Sequence, residues 1–245
     1  MVTAHFRFHG ALNDFLPRHR QHSEISCVCA RAASAKHMIE ALGIPHTEVT
    51  SLLINGKPCG FDRMLLDGDR LCAYTSDDVA TDRPLGNAPP GRPRFIADAH
   101  LGGLARMLRM AGFDTLYENS FEDGQIAALS SAQARIVLTR DRDLLKRRMV
   151  EYGAYVRAIK APLQFVEVVN RYRLQAQARP FTLCLRCNVP LRAVTLAAVE
   201  ARLPEAVKAQ HTAFQICDAC GGVFWSGSHW RRMCAALAAA GVSQC

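Results

Sequence analysis

No apolar run in the 245-residue sequence approaches the ~20 residues needed to span a bilayer, so no transmembrane helix is expected. The opening residues, Met1 to Arg7, carry neither a basic leader nor a continuous apolar core. That argues against a signal peptide and predicts a cytoplasmic protein with no membrane partner. Internal repeats are missing too, and no low-complexity tract occurs beyond the alanine-rich C-terminal stretch, which sets aside solenoids and arrays. Acidic residues are in short supply: 22 Asp and Glu face 30 Lys and Arg, a formal charge of +8. The shortfall is local, with 8 basic and 9 acidic residues over 1–80, 16 and 10 over 81–180, and 6 and 3 over 181–245. A basic middle and end favour a polyanionic partner, because neutralising phosphates releases condensed counterions; a merely solubilising surface is the alternative.

Cysteine is the residue not in short supply. Ten are present, spread over a chain long enough to bury a core without covalent staples, so reduced thiols are expected rather than a disulfide scaffold. Four of them are ordered: Cys184-Leu185-Arg186-Cys187 and Cys217-Asp218-Ala219-Cys220 form two CxxC knuckles, each presenting two thiolates to one ion. Two knuckles close a tetrahedron with no open position, which predicts a structural zinc. Gly221 supplies the permissive backbone such a turn needs, and Val223-Phe224-Trp225 reads as a following ribbon strand. An iron–sulfur cluster or a redox dithiol pair are the alternatives, but neither CxxC sits at a thioredoxin-like strand–helix junction.

Organisation follows from breaks in periodicity. Asp77 to Pro93, with four prolines, reads as an extended linker, and a softer boundary lies near Gln175 to Pro180. The expected domains are 1–78, a linker 79–93, 94–178, and 179–245. In the first, an alternating strand at Ala4–Phe8, a helix at Ala35–Leu42, the hairpin signal Asn55-Gly56 after Ser51–Ile54, and Asp67-Gly68-Asp69 before Arg70–Tyr74 give the order ββαββ. That order, the "INGK" hairpin and the "DGD" turn resemble the β-grasp, or ubiquitin-like, fold and its sulfur-carrier branch. Those carriers act through a free C-terminal Gly-Gly, whereas Tyr74-Thr75-Ser76 runs on into the linker, so a binding or positioning module with a protein partner is expected here.

The second domain alternates strand and helix, which predicts an α/β fold with a mainly parallel sheet flanked by helices. Strands are expected at Arg94–Ala97, Phe113–Tyr117, Ala134–Thr139 and Tyr155–Ile159, and helices at Leu101–Ala111, Asp123–Gln133, Asp141–Val150 and from Pro162 to about Arg173. In such sheets ligands sit beyond the carboxyl ends of the strands. Asp98 follows the first strand, Asp141 and Asp143 follow the third, and Asp123 opens the intervening helix. Crowded carboxylates need a cation, and Mg²⁺ or Mn²⁺ favours an all-oxygen site, which points to phosphodiester hydrolysis. Taken singly, each acid has an ordinary alternative as a helix cap or first-turn acid. Asp114 precedes its strand and is expected to be structural. Arg106, Arg109 and Lys146 are candidate phosphate-binding residues, while a solvated helix face suits Arg147 and Arg148. Near the end, Trp225, His229 and Trp230 have the character to stack on bases, with burial of a tryptophan as the alternative.

The strings Phe95-Ile96-Ala97-Asp98-Ala99-His100-Leu101-Gly102, Leu104 to Thr115, and Val137-Leu138-Thr139-Arg140-Asp141-Arg142-Asp143-Leu144-Leu145 resemble the PIN-like ribonuclease domain named after the C-terminal region of the Mut-seven exonuclease. With the zinc ribbon the likeness covers about residues 94 to 235, and a β-grasp domain often precedes the bacterial form. The resemblance implies a metal-dependent ribonuclease acting on RNA. Its motif carries over to Asp98, Asp123, Asp141 and Asp143, with Glu122 as the alternative to Asp123. A "W-x-G-S-H-W" element also belongs to that family and implies RNA contact at His229. Two rival readings are a non-catalytic RNA-binding adaptor that uses the β-grasp and zinc-ribbon modules, and a toxin-like or regulatory PIN protein with a separate inhibitor.

Overall fold

The computed structural model describes residues 1–29, 33–75 and 88–242. Most of the expected linker 79–93 lies outside the described residues. Along the chain run β1 (Val2–Phe8), β2 (Ile25–Cys29), α1 (Ala35–Ala41), β3 (Ser51–Ile54), β4 (Lys57–Pro58), β5 (Arg70–Tyr74), β6 (Phe95–Ala97), α2 (Gly102–Met110), β7 (Thr115–Leu116) and α3 (Asp123–Gln133). There follow β8 (Ile136–Thr139), α4 (Arg142–Leu145), β9 (Gly153–Tyr155), α5 (Ala161–Tyr172), β10 (Arg192–Val194), α6 (Glu205–Gln210), β11 (Phe214–Ile216), β12 (Val223–Phe224) and α7 (Ser228–Ala238). Contacts gather these into two units, Met1–Pro89 with Asp123–Tyr155, and Pro90–Glu122 with Val156–Cys245.

In the first unit, a five-stranded sheet of order β2-β1-β5-β3-β4 has β1 and β5 parallel and its other pairs antiparallel, a β-grasp arrangement. Ala35 and Ile39 turn one face of α1 into a core with Phe6, Phe8, Leu52 and Leu71. Asn55 and Gly56 both take positive φ, 52° and 78°, the hairpin turn whose twist matches its flanking strands. The "DGD" turn is tied to that hairpin: the buried Asp69 carboxylate accepts from Asn55 Nδ2 at 2.9 Å and Leu66 N at 2.8 Å. Asp67 accepts from Thr3 N at 2.7 Å, closing the turn onto β1.

The 123–155 segment of this unit pairs β8 with β9 in parallel. All four β8 residues are buried, as an uninterrupted apolar run predicts. Helix α4 ends at Leu145, five residues before the expected Val150. Leu144, Leu145 and Val150 are buried, but Met149 is exposed, so the apolar stripe lapses after one turn and the chain continues through hydrogen-bonded turns. The β-grasp residues pack on this segment. Phe15 meets Tyr155 edge-on with centroids 5.3 Å apart, and the buried Glu48 accepts from Tyr155 N at 2.8 Å.

In the second unit β6 pairs with β7 in parallel. Leu104, Ala105 and Leu108 line the buried face of α2, and Phe165, Val168 and Val169 that of α5. Gly103 lets the two helices approach, since a Cβ there would lie 2.7 Å from that of Ala161. Gly112 ends α2 with φ +84°, and a side chain at this position would run into the Arg179 carbonyl. β7 is shorter than the expected Phe113–Tyr117 strand because Phe113 N bonds back to Leu108 O and Asp114 is held by Asn188. The ribbon sheet, β10-β11-β12, is antiparallel and closes on a small core of Val199, Leu203 and Phe214. Among the described residues no helix is long and apolar enough to cross a membrane.

Candidate active site and metal centre

Asp98 is the first residue after β6, and its backbone leaves the strand in an extended conformation. Its half-buried carboxylate accepts from Ala99 N at 2.6 Å, opening a short 3-10 turn. That turn is pinned by the residue that follows β7: Tyr117 Oη donates to Ala99 O at 2.9 Å. Gly102 makes room for the phenol, as a Cβ would come within 2.6 Å of Tyr117 Oη. Tyr117 and Gly102 are contributors that sequence reading missed; the only signal was a glycine in the first turn of an otherwise good helix. His100 is exposed beside them.

The other three acids belong to the first unit. Asp141 stands two residues after β8 and caps α4, its carboxylate accepting from Asp143 N at 2.7 Å. Thr139, buried at the strand's end, accepts from Asp141 N at 2.9 Å and fixes the turn. Asp143 is exposed and 2.6 Å from Lys146 Nζ, and the hydrogen bond from that ammonium holds its carboxyl below the usual carboxylate range. Asp123 opens α3 as expected and pairs with Arg147 at 3.2 Å. Lys146 and Arg147 therefore act as internal counter-ions to two of the acids. Exposed pairs of this kind contribute roughly 0–1 kcal/mol, and a divalent cation can displace them.

Between the two aspartates of the turn, Arg142 points away from both. Its guanidinium lies 5.0 Å from the Phe15 ring centroid and 5.9 Å from that of Tyr155, and Nη1 donates to Phe15 O at 3.0 Å. The β-grasp domain thus holds the acidic turn by its middle residue.

Among the basic candidates, Arg106 is exposed on α2 and Lys146 is engaged with Asp143. Arg109 is placed otherwise than expected. It is buried at 6% exposure, Nε donates to Thr115 O at 2.9 Å, and Nη1 donates to Leu185 O and Arg186 O at 3.1 and 2.9 Å. Position 109 lies one residue past the buried Leu108, so the side chain turns inward to the first cysteine knuckle rather than out to a phosphate. Burial pulls its pKa below the ordinary guanidinium value.

The Sγ atoms of Cys184, Cys187, Cys217 and Cys220 all lie within 4.8 Å of one another, and they are the one group of three or more such ligands that converges among the described residues. Both knuckles have the same construction. Asn188 N donates to Cys184 O at 2.9 Å and Gly221 N to Cys217 O at 2.7 Å, with Asn188 and Gly221 both left-handed at φ 60° and 69°. Asn188 is the counterpart that sequence reading missed, although its place four residues after Cys184 mirrors that of Gly221 after Cys217. It also locks the knuckle to the α/β fold, accepting from Thr115 N at 2.9 Å and donating to Asp114 at 2.6 Å. The backbone N–H of Gly222 holds the Cys220 thiol down at about 7. Four sulfur donors with tight backbone turns fit a structural zinc.

No curated protein matches this sequence. A solved structure described as subunit 1 of a molybdopterin converting factor, from Pyrococcus furiosus, is 12% identical with a TM-score of 0.25, covering 31% of this chain and 98% of that one. The family model for the Mut7-C ubiquitin domain matches residues 1–79. The model for the Mut7-C RNAse domain matches residues 93–237, more than half of the sequence, and the chain belongs to that family.

Proposed function

We propose that the protein is a divalent-metal-dependent ribonuclease that hydrolyses RNA phosphodiester bonds through Asp98, Asp123, Asp141 and Asp143. The observation that carries this reading is the position of Asp98 and of the Asp141/Asp143 turn, each just past the carboxyl end of a parallel strand inside the matched RNAse domain. The donor set is suitable: carboxylate oxygens with exposed or half-buried surfaces, the hard ligands that Mg²⁺ and Mn²⁺ take. Such ions, when bound, activate a water and stabilise the leaving oxygen. The protein's own part is to hold the carboxylates still. Tyr117 does this for the Asp98 turn, and Thr139 with Arg142 for the Asp141/Asp143 turn. Arg106 and Lys146 are proposed to hold the substrate backbone, and His229 to meet RNA near the ribbon. Thiolate zinc ligands suit a reducing compartment, so the cytoplasm is the proposed location.

Asp98→Asn and Asp141→Asn test the reading. Each should lower Mn²⁺-dependent RNA cleavage by about 100-fold or more while leaving the fold intact. Mn²⁺ should be added back to metal-depleted buffer rather than removed with EDTA, because a strong chelator would also strip the ribbon. RNA binding without any metal-dependent cleavage by the unsubstituted chain would favour the adaptor instead.

A further inference from the structure

Between the ribbon sheet and α7, within the second unit, lies a cavity of about 530 Å³. That is ample for a ring system, since small-molecule sites run from about 300 to 1,000 Å³. Its walls include Phe181, Phe224, Trp225 and Trp230, and Ser226 and His229 stand among its polar lining. The Phe181 and Trp230 rings are 5.6 Å apart and tilted by 40°, two walls rather than a closed stack. Gly227 makes one wall possible, because a Cβ there would lie 2.9 Å from Trp225 Nε1. All four of these aromatic side chains keep partial exposure.

We propose that this pocket takes an unpaired nucleobase of single-stranded RNA. The proposal rests on the reading of RNA as substrate and adds a recognition site built from other residues than the four carboxylates. Aromatic walls favour a flat partner with a π face, and stacking of this kind tolerates any base. The hydroxyl and imidazole groups offer donors and acceptors to a base edge, whereas an apolar peptide would leave them unmatched. Charge decides between the two. Arg231 and Arg232 are exposed near the start of α7, and no acidic residue occurs from Ala219 to the C-terminus. The nearest acid in sequence, Asp218, is paired with Arg192 at 2.8 Å. The surroundings therefore suit the phosphates on either side of a bound base.

The chain's only two tryptophans both line this cavity, so intrinsic tryptophan emission reports on it alone. The full-length zinc-loaded chain carrying Asp141→Asn, without added Mg²⁺ or Mn²⁺, is titrated with an oligoadenylate of about eight nucleotides. Saturable quenching is expected, and a duplex of the same length should give little. Trp230→Ala should weaken binding by about 10-fold or more, and Trp230→Phe, which keeps a ring, should restore most of it. If Trp230→Ala fails to retain zinc, His229→Ala, read by anisotropy of a labelled oligonucleotide, should still show weaker binding. Oligoadenylate bound with silent tryptophans and undiminished by Trp230→Ala or His229→Ala would overturn the proposal, even if the unsubstituted chain cleaves RNA. Quenching by an amphipathic apolar peptide but not by RNA would also overturn it, in favour of a protein-docking surface. Quenching by RNA with no Mn²⁺-dependent cleavage by the unsubstituted chain would support the pocket and sink the ribonuclease reading.

Discussion

Arg109 carries more of the second unit's architecture than its place among surface-type residues suggests. One guanidinium satisfies carbonyls from β7 and from both residues between Cys184 and Cys187, so it joins the α/β layer to the first knuckle. Truncation would strand three acceptors in a region where water is scarce, at about 1–3 kcal/mol for each one left unpaired. Arg109→Ala should therefore lower the unfolding free energy by about 3 kcal/mol in urea denaturation. Arg109→Lys should recover little, since a single ammonium cannot span the fork of donors. A loss below about 0.5 kcal/mol, the range of ordinary surface substitutions, would mean that the carbonyls find water and the bridge is incidental. The same residue marks a boundary of sequence reading. A helix stripe at Leu104, Ala105 and Leu108 tells which face is buried, but not whether a long polar side chain at its margin turns in or out.

At the level of elements, what was legible came from local rules. Asn55-Gly56, the Asp123–Gln133 helix and the paired CxxC knuckles are each set by residues close in sequence. What was not legible depends on residues far apart: Tyr117 pinning the Asp98 turn, Asn188 tied to Thr115 and Asp114, Arg142 clamped by Phe15, and Arg147 serving as counter-ion to Asp123. The β-grasp contact is the largest of these. Glu48 is 3% exposed and accepts from Tyr155 N at the end of β9, whose partner β8 leads into the acidic turn. Glu48→Ala should destabilise the protein by about 2 kcal/mol, and Glu48→Gln, which keeps an acceptor, by less. Amide exchange should quicken at residues 139–143 in Glu48→Ala. Faster exchange confined to residues 1–75 would show that the β-grasp domain does not steady the turn.

Over the whole molecule, charge separates the modules by task. Residues 1–80 are nearly balanced, whereas the remainder holds the entire basic excess. In the ribbon, Arg192 and Lys208 are paired with Asp218 and Glu205 and Arg202 donates to Gly221 O, whereas Arg231 and Arg232 on α7 face solvent in a segment without acids. Binding of single-stranded nucleic acid weakens with salt by about 0.7 in log K per decade for each phosphate neutralised. Replacing both Arg231 and Arg232 with Gln should thus make the salt slope for single-stranded RNA shallower by about 1.4. Replacing Arg18 and Arg20, exposed in the balanced β-grasp domain, should leave it unchanged. The contrast isolates position from total charge, since both double variants remove the same two cations. Equal slopes would mean that RNA responds only to the net charge of the chain, and the basic end would lose its claim to be a nucleic-acid surface.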